Sequence, residues 1–170
     1  SFVDEIALAT GKDPLVLRRE LLAHDARALK VVETAAARAG WGRDGRGTPE
    51  QPLPAGHALG LAYFECYGSL TAHVAEVSLG EGGLPRVHRV VCALDCGQVV
   101  TPDGARAQVE GGILQGLSAA LFEAQTIASG AAVERNFDRY RLLRINEAPR
   151  IEVHVIESGE KIGGIGEPGL

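Results

Sequence analysis

Arg86-Val87-His88-Arg89-Val90-Val91-Cys92-Ala93-Leu94-Asp95 is the stretch on which the fold turns. Its centre, Val90 to Leu94, is a continuous apolar run without helical periodicity, as expected of a strand buried on both faces. Working backward, Gly60 to Leu70 and Ala72 to Leu79 read as two further strands, and Glu81-Gly82-Gly83 as the turn before the quoted run. Working forward, residues 150–157 alternate, with Ile151, Val153 and Val155 on one face and Glu152 and His154 on the other. His154 is therefore expected to be an exposed strand residue rather than a ligand. Between these strands, Thr101-Pro102-Asp103 opens a helix that reaches about Ala124. Ahead of them, apolar spacing places helices from Val3 to Gly11, from Pro14 to Leu22 and from Asp25 to Gly40, with Asp13 as an N-cap. Glu5, Arg18, Arg19 and Glu20 read as the solvated faces of those helices. The expected organisation is a helical lead segment, 1–40, an irregular Gly- and Pro-rich connector, 41–56, and an α+β domain, 57–170, truncated at its end. Its fold class is α+β, a mostly antiparallel sheet with packed helices.

Composition narrows the function. The 170 residues carry a net charge of −5, and no Lys/Arg cluster is interleaved with the four Phe, three Tyr and one Trp, so no nucleic-acid partner is expected. No apolar run approaches the roughly 20 residues of a membrane span. Cys66, Cys92 and Cys96 form no Cys-x-x-Cys pair and read as free, buried thiols. A zinc site from His88, Cys92 and Cys96 has poor spacing on a strand, and no metal ligands are assigned. The sequence contains no Met and stops within a glycine-rich loop, which gives the expectation of a piece cut from a longer chain.

Two stretches carry unusual chemistry. In the helix after Thr101, Val109, Ile113, Leu114, Leu117, Ala120 and Leu121 fall on one side, and Gln108, Gly112, Gln115 and Ala119 on the other. Gly111, Gly112 and Gly116 each cost about 1 kcal/mol against alanine, so something is expected to approach the backbone closely. That something is either a packed neighbouring element or a flat hydrogen-bonding ligand such as a pterin, with the amides of Gln108 and Gln115 beside it. The second stretch is Gly163-Gly164-Ile165-Gly166-Glu167-Pro168-Gly169. Its glycines and proline exclude helix and strand, leaving Glu167 on a loop that is either a solvated turn or the mount of a functional carboxylate. Asn136 to Tyr140 reads as an aromatic-anchored loop.

Taken in order, Asp4-Glu5 through Pro14, Ala75-Glu76-Val77, Asp95-Cys96-Gly97, Gln108-Val109-Glu110-Gly111-Gly112, Gln115-Gly116, Asn136-Phe137-Asp138-x-Tyr140, Glu147-Ala148-Pro149 and Gly164 to Gly169 resemble the molybdenum hydroxylases of the xanthine dehydrogenase and aldehyde oxidase family. The resemblance is to the C-terminal part of the molybdopterin-binding catalytic subunit, and within the family to the beta subunits of the isoquinoline 1-oxidoreductase branch. It implies a molybdopterin dinucleotide, commonly the cytosine form, and electrons leaving through iron–sulfur clusters on a small partner subunit. It also implies an N-heteroaromatic or aldehyde substrate and a bacterial cytoplasmic or periplasmic enzyme, the cytoplasm preferred. By the same resemblance Glu167 is the general base, acting on a metal-bound hydroxyl, and Gln108, Gly111, Gly112, Gln115 and Gly166 lie where cofactor contacts fall. Further cofactor loops of the family precede and follow this stretch, so the isolated chain is expected to bind no cofactor and to be inactive. A scaffold or partner-docking domain of the same fold is the alternative.

Overall fold

Two aspartates start the second and third helices of the chain. In the computed structural model, which describes residues 2–170, α1 (Phe2–Thr10), α2 (Pro14–Leu21) and α3 (Ala26–Ala39) follow one another. Asp13 Oδ1 accepts from the N–H groups of Leu15 and Val16, at 2.7 and 3.1 Å, and Asp25 Oδ1 accepts from those of Arg27 and Ala28. Each cap satisfies donors that the first helical turn leaves unpaired. Gly40, in the left-handed region at φ 73°, ends α3.

The main sheet contains β1 (His57–Cys66), β2 (Ser69–Leu79), β3 (Pro85–Asp95) and β6 (Arg150–Val155), in the order β1-β2-β3-β6. A two-stranded ribbon, β4 (Ile127–Ala128) and β5 (Ala131–Ala132), stands apart from it. The first three strands form an antiparallel meander, whereas β6 joins β3 in parallel after a crossover containing α4 (Pro102–Leu121). The architecture is α+β with a mostly antiparallel, mixed sheet, as the hydrophobic patterning indicates.

The boundary expected inside Gly60 to Leu79 moves. β1 begins at His57 and ends at Cys66, and the chain reverses through Tyr67 and Gly68, both at positive φ (52° and 76°), before β2 starts at Ser69. Cys66 pairs with Ser69, so this is a two-residue hairpin turn. Tyr67 gives no turn signal in the sequence, which is why the reversal was expected later.

One face of the sheet packs on α3. Leu59, Leu61, Leu70, Ala72, Val74, Val91 and Ala93 meet Ala28, Val31, Val32, Ala35, Ala36 and Ala39 in one buried cluster. The core thus joins α3 to the sheet across the irregular connector 41–56, and α3 and the sheet form one packed layer pair. On the opposite face Val90, Cys92 and Leu94 pack with Val109 and Ile113 of α4 and with Ile151, Val153 and Val155, the alternation expected of β6. Two surface assignments are corrected. Arg18 is 5% exposed, donating to Asp4 Oδ1 at 2.7 Å and to Leu61 O at 2.6 Å, so it ties the first helices to β1 rather than facing solvent. His154 is half-buried and its Nε2 is sealed without a hydrogen-bond partner, because Arg38 and the rest of α3 lie on its side of the sheet.

Candidate functional site

The last ten residues run along the end of the β1–β2 hairpin and over α4, attached mainly by backbone. Gly163 N–H donates to Cys96 O and Gly164 N–H to Tyr67 O, both at 2.9 Å. Thr71 Oγ1 donates to Pro168 O at 2.7 Å. A side chain at Gly163 would collide with Ser69 Oγ and the backbone of Gly68, and one at Gly97 with the carbonyl oxygens of Glu160 and Lys161. Pro168 and Gly169 are buried, while Glu167 between Gly166 and Pro168 is exposed. The loop therefore fixes its ends and leaves one carboxylate outside.

Two of the three glycines of the helix are accounted for by the chain itself. A Cβ on Gly112 would lie 3.0 Å from Gly169 C, and one on Gly116 2.9 Å from Leu170 C. Gly112 is buried against backbone, the packed-neighbour alternative of the two expected for it. The buried stripe of α4 runs through Ala105, Val109, Gly112 and Ile113, whereas Ala120, expected inside, is exposed. The helix ends at Leu121 rather than near Ala124. Gly111 differs from Gly112, since a Cβ there would meet nothing within 4 Å, and the same holds for Gly166.

Gln108, Gln115 and Glu167 are all exposed but line three separate hollows. Gln108 borders a hollow of about 490 Å3 with Thr101, Val99, Ile162 and Ile165. Gln115 borders one of about 600 Å3 with Leu114, Tyr140 and Leu143. Glu167 shares one of about 430 Å3 with Phe64, Cys66, Tyr67 and Leu170. The phenol of Tyr67 has its pKa raised, first by hydrogen bonding to Glu167 and then by that carboxylate's charge. Burial, and then the charge of Glu167, pushes the Cys66 thiol up. In the Asn136 to Tyr140 segment, Tyr140 donates to Glu123 at 3.0 Å, but Phe137 is 74% exposed and anchors nothing.

Several residues that set this geometry carried no assigned role in the sequence. Asp95, at 1% exposure, accepts from Arg27 Nε and Nη2 at 2.9 and 2.8 Å, from Gly97 N–H at 2.9 Å and from Ser158 Oγ at 2.7 Å. Arg27 Nη2 also reaches Gly68 O at 3.2 Å, so one ion pair joins α3, the end of β3, the hairpin turn and the loop after β6. Burial would raise the Asp95 pKa, but these donors outweigh it and hold the carboxyl below its ordinary range. The sequence signal for Asp95 was its position at the end of an apolar strand; nothing marked Arg27 or Ser158 as its partners. Next to Thr71 on the same face of β2, burial brings the pKa of His73 down to about 4, and its Nε2 has no hydrogen-bond partner. Cys66, Cys92 and Cys96 are free thiols, Cys66 only partly buried. Among the described residues no group of three His, Cys, Asp or Glu could hold a metal ion. His88 instead stacks on His57, with ring centroids 4.2 Å apart, and its Nε2 lies 2.8 Å from Ser78 Oγ.

The chain belongs to the molybdopterin cofactor-binding domain family of the molybdenum hydroxylases, whose model matches residues 18–149. It is 38% identical to the isoquinoline 1-oxidoreductase subunit beta of Brevundimonas diminuta over 100% of its own length and 21% of that protein. It is 36% identical to the membrane-bound aldehyde dehydrogenase [pyrroloquinoline-quinone] of Gluconacetobacter polyoxogenes over 99% of its length and 23% of that protein. The quinoline 2-oxidoreductase structure from Pseudomonas putida 86 shares the fold with a TM-score of 0.54 and 24% identity, covering 59% of this chain and 14% of that one. The chain thus spans about a fifth of the length of the curated relatives it matches. Among the described residues no helix is long and apolar enough to cross a membrane.

Proposed function

We propose that this chain supplies the catalytic carboxylate and part of the cofactor contact surface of a molybdenum hydroxylase catalytic subunit. The observation that carries the reading is Glu167 itself, an exposed carboxylate between a bare Gly166 and a buried Pro168-Gly169. Clamped backbone on the Pro168 side fixes where the side chain can reach, which is what general-base catalysis asks of its base. The residues fit the cofactor in part. Gly111 and Gly166 leave open space where a flat ring or a phosphate could approach backbone, and the exposed amides of Gln108 and Gln115 can donate and accept. Gly112 serves a different part, by letting Gly169 seat against the helix.

When bound, the molybdenum cofactor supplies the two-electron redox chemistry of hydroxylation. Glu167 accepts the proton released from the attacking water, at a carboxylate oxygen. The substrate is an N-heteroaromatic compound or an aldehyde, the two chemistries in the names of the two relatives described above. The cofactor is the cytosine dinucleotide form, and electrons pass to a small iron–sulfur partner subunit. Because Gln108, Gln115 and Glu167 open into separate hollows, closing one pocket around them requires further protein beyond these residues. That separation is also what favours the second reading, a docking domain of the same fold without catalysis.

Glu167→Gln in the complete, cofactor-loaded enzyme decides between them. The variant keeps the side chain's shape and loses its basicity, so turnover should fall by at least about a hundredfold while molybdenum and pterin content stay normal. Near-wild-type turnover with normal metal content would return Glu167 to a solvated turn.

A further inference from the structure

The hairpin turn beside Glu167 is built with an unfavourable residue. A two-residue turn with positive φ at both positions suits Asn-Gly or Gly-Gly, because an ordinary side chain crowds its own backbone there. This chain places Tyr67 at that first position, with φ 52°. The aromatic ring is 68% exposed, so burial does not offset the strain. Tyr67 instead touches the catalytic loop twice. Its carbonyl accepts from Gly164 N–H at 2.9 Å, and a Cβ on Gly164 would lie 3.1 Å from the Tyr67 Cβ. Its ring lines the same hollow as Glu167. Backbone strain kept at such a place directs attention to the side chain it presents.

We propose that Tyr67 is a positioning residue for Glu167, its phenol hydroxyl donating to the carboxylate and holding it toward the hollow that both line. The inference rests on the reading of Glu167 as the base. The raised pKa of the phenol agrees with it, since a nearby carboxylate favours the protonated donor. Because Tyr67 and Glu167 border one hollow, a hydrogen bond donated by the phenol would limit the rotamers of an otherwise exposed glutamate.

The test uses the complete cofactor-loaded enzyme and three variants. Tyr67→Phe should lower kcat about tenfold with KM within about twofold, because an orienting contact to the base acts on the chemical step rather than on substrate binding. Tyr67→Asn should lower kcat similarly while raising the unfolding temperature, since Asn tolerates the turn's backbone better. A residue kept only for structure would do the reverse. For a readout independent of turnover, 3-fluorotyrosine at position 67 followed by 19F NMR should titrate at lower pH in Glu167→Gln than beside the native glutamate. An unmoved fluorotyrosine titration, or Tyr67→Phe with wild-type kcat, overturns the proposal. If Glu167→Gln itself keeps wild-type turnover, the base reading falls, and the fluorine titration still reports separately whether the two side chains interact.

Discussion

Both faces of the sheet bury hydrophobic side chains, but one stretch of the second face is closed by a different kind of contact. Against α3 the sheet presents Leu, Val and Ala side chains to Ala and Val side chains, and the seal is hydrophobic burial. On the other face, the stretch next to Glu167 is closed by main chain against main chain, Gly169 on Gly112 and Val109, Gly163 on Gly68. The first kind of seal tolerates a change of side-chain volume at a graded cost, while the second has no side chain to give way. That difference places the 163–169 loop where glycine, and not a hydrophobic pattern, decides the structure.

The largest effect should come from the ion pair that serves both faces. Arg27→Ala leaves the buried Asp95 with only Ser158 and Gly97 as donors, and uncompensated buried charge typically costs about 3–5 kcal/mol. Urea unfolding would measure it, and a loss under about 1 kcal/mol would remove the pair from the account of how the loop is anchored.

Next in size is a pH effect confined to the Glu167 face. His73 titrates near pH 4 when folded, well below its ordinary 6.5, so the unfolded chain binds the proton more readily. Stability contributed by the neutral ring is complete above about pH 6.5 and is lost as pH falls from there toward 4, by up to about 3 kcal/mol. His73→Leu should flatten unfolding free energy across that window; an unchanged pH slope would mean that the ring is solvated.

Val31→Ala then tests the helical face. Removing two buried methyl groups from α3 should cost about 2 kcal/mol, with the surrounding side chains relaxing around the loss. A cost near zero would show that this face is less tightly packed than its burial indicates.

The smallest effects make the sharpest contrast, between neighbouring residues of α4. Gly111→Ala meets open space and should stabilise by about 1 kcal/mol, the propensity gain of a helix interior. Gly112→Ala pushes a methyl against the backbone of Gly169, and should forfeit that gain or reverse it. Thermal unfolding of the two variants reads the difference directly, and equal shifts would dissolve the distinction between side-chain and backbone seals.

Hydrophobic periodicity made much of the fold legible. The apolar run of β3, the alternation of β6 and the Asp13-Pro14 start of α2 all stand where the residues place them, because each reports burial along one element. Periodicity does not report which backbone meets which. The glycines of α4 announced a close approach, but only the folded chain identifies Gly169 and Leu170 as what approaches. Arg18 was misplaced for a related reason, since its charge suggests solvent while its partner, Leu61 O, is distant in sequence. Of the candidate site, the exposure of Glu167 was legible from the loop composition. The left-handed conformation of Tyr67 was not, because no rule of turn composition selects tyrosine at such a position.

The parallel pairing of β6 with β3 bears on how the molecule assembles in time. β1, β2 and β3 are joined by short turns, so their contacts close small loops and can form early. β6 reaches β3 only after the whole of residues 96–149 has been gathered, which delays it by the entropy of a long closure. The residues after it, including the Gly163 and Gly164 attachments, cannot settle before β6 has docked. In pulse-labelled hydrogen exchange the meander amides should gain protection before the Gly163 and Gly164 amides, so that Glu167 reaches its place only after the meander has formed.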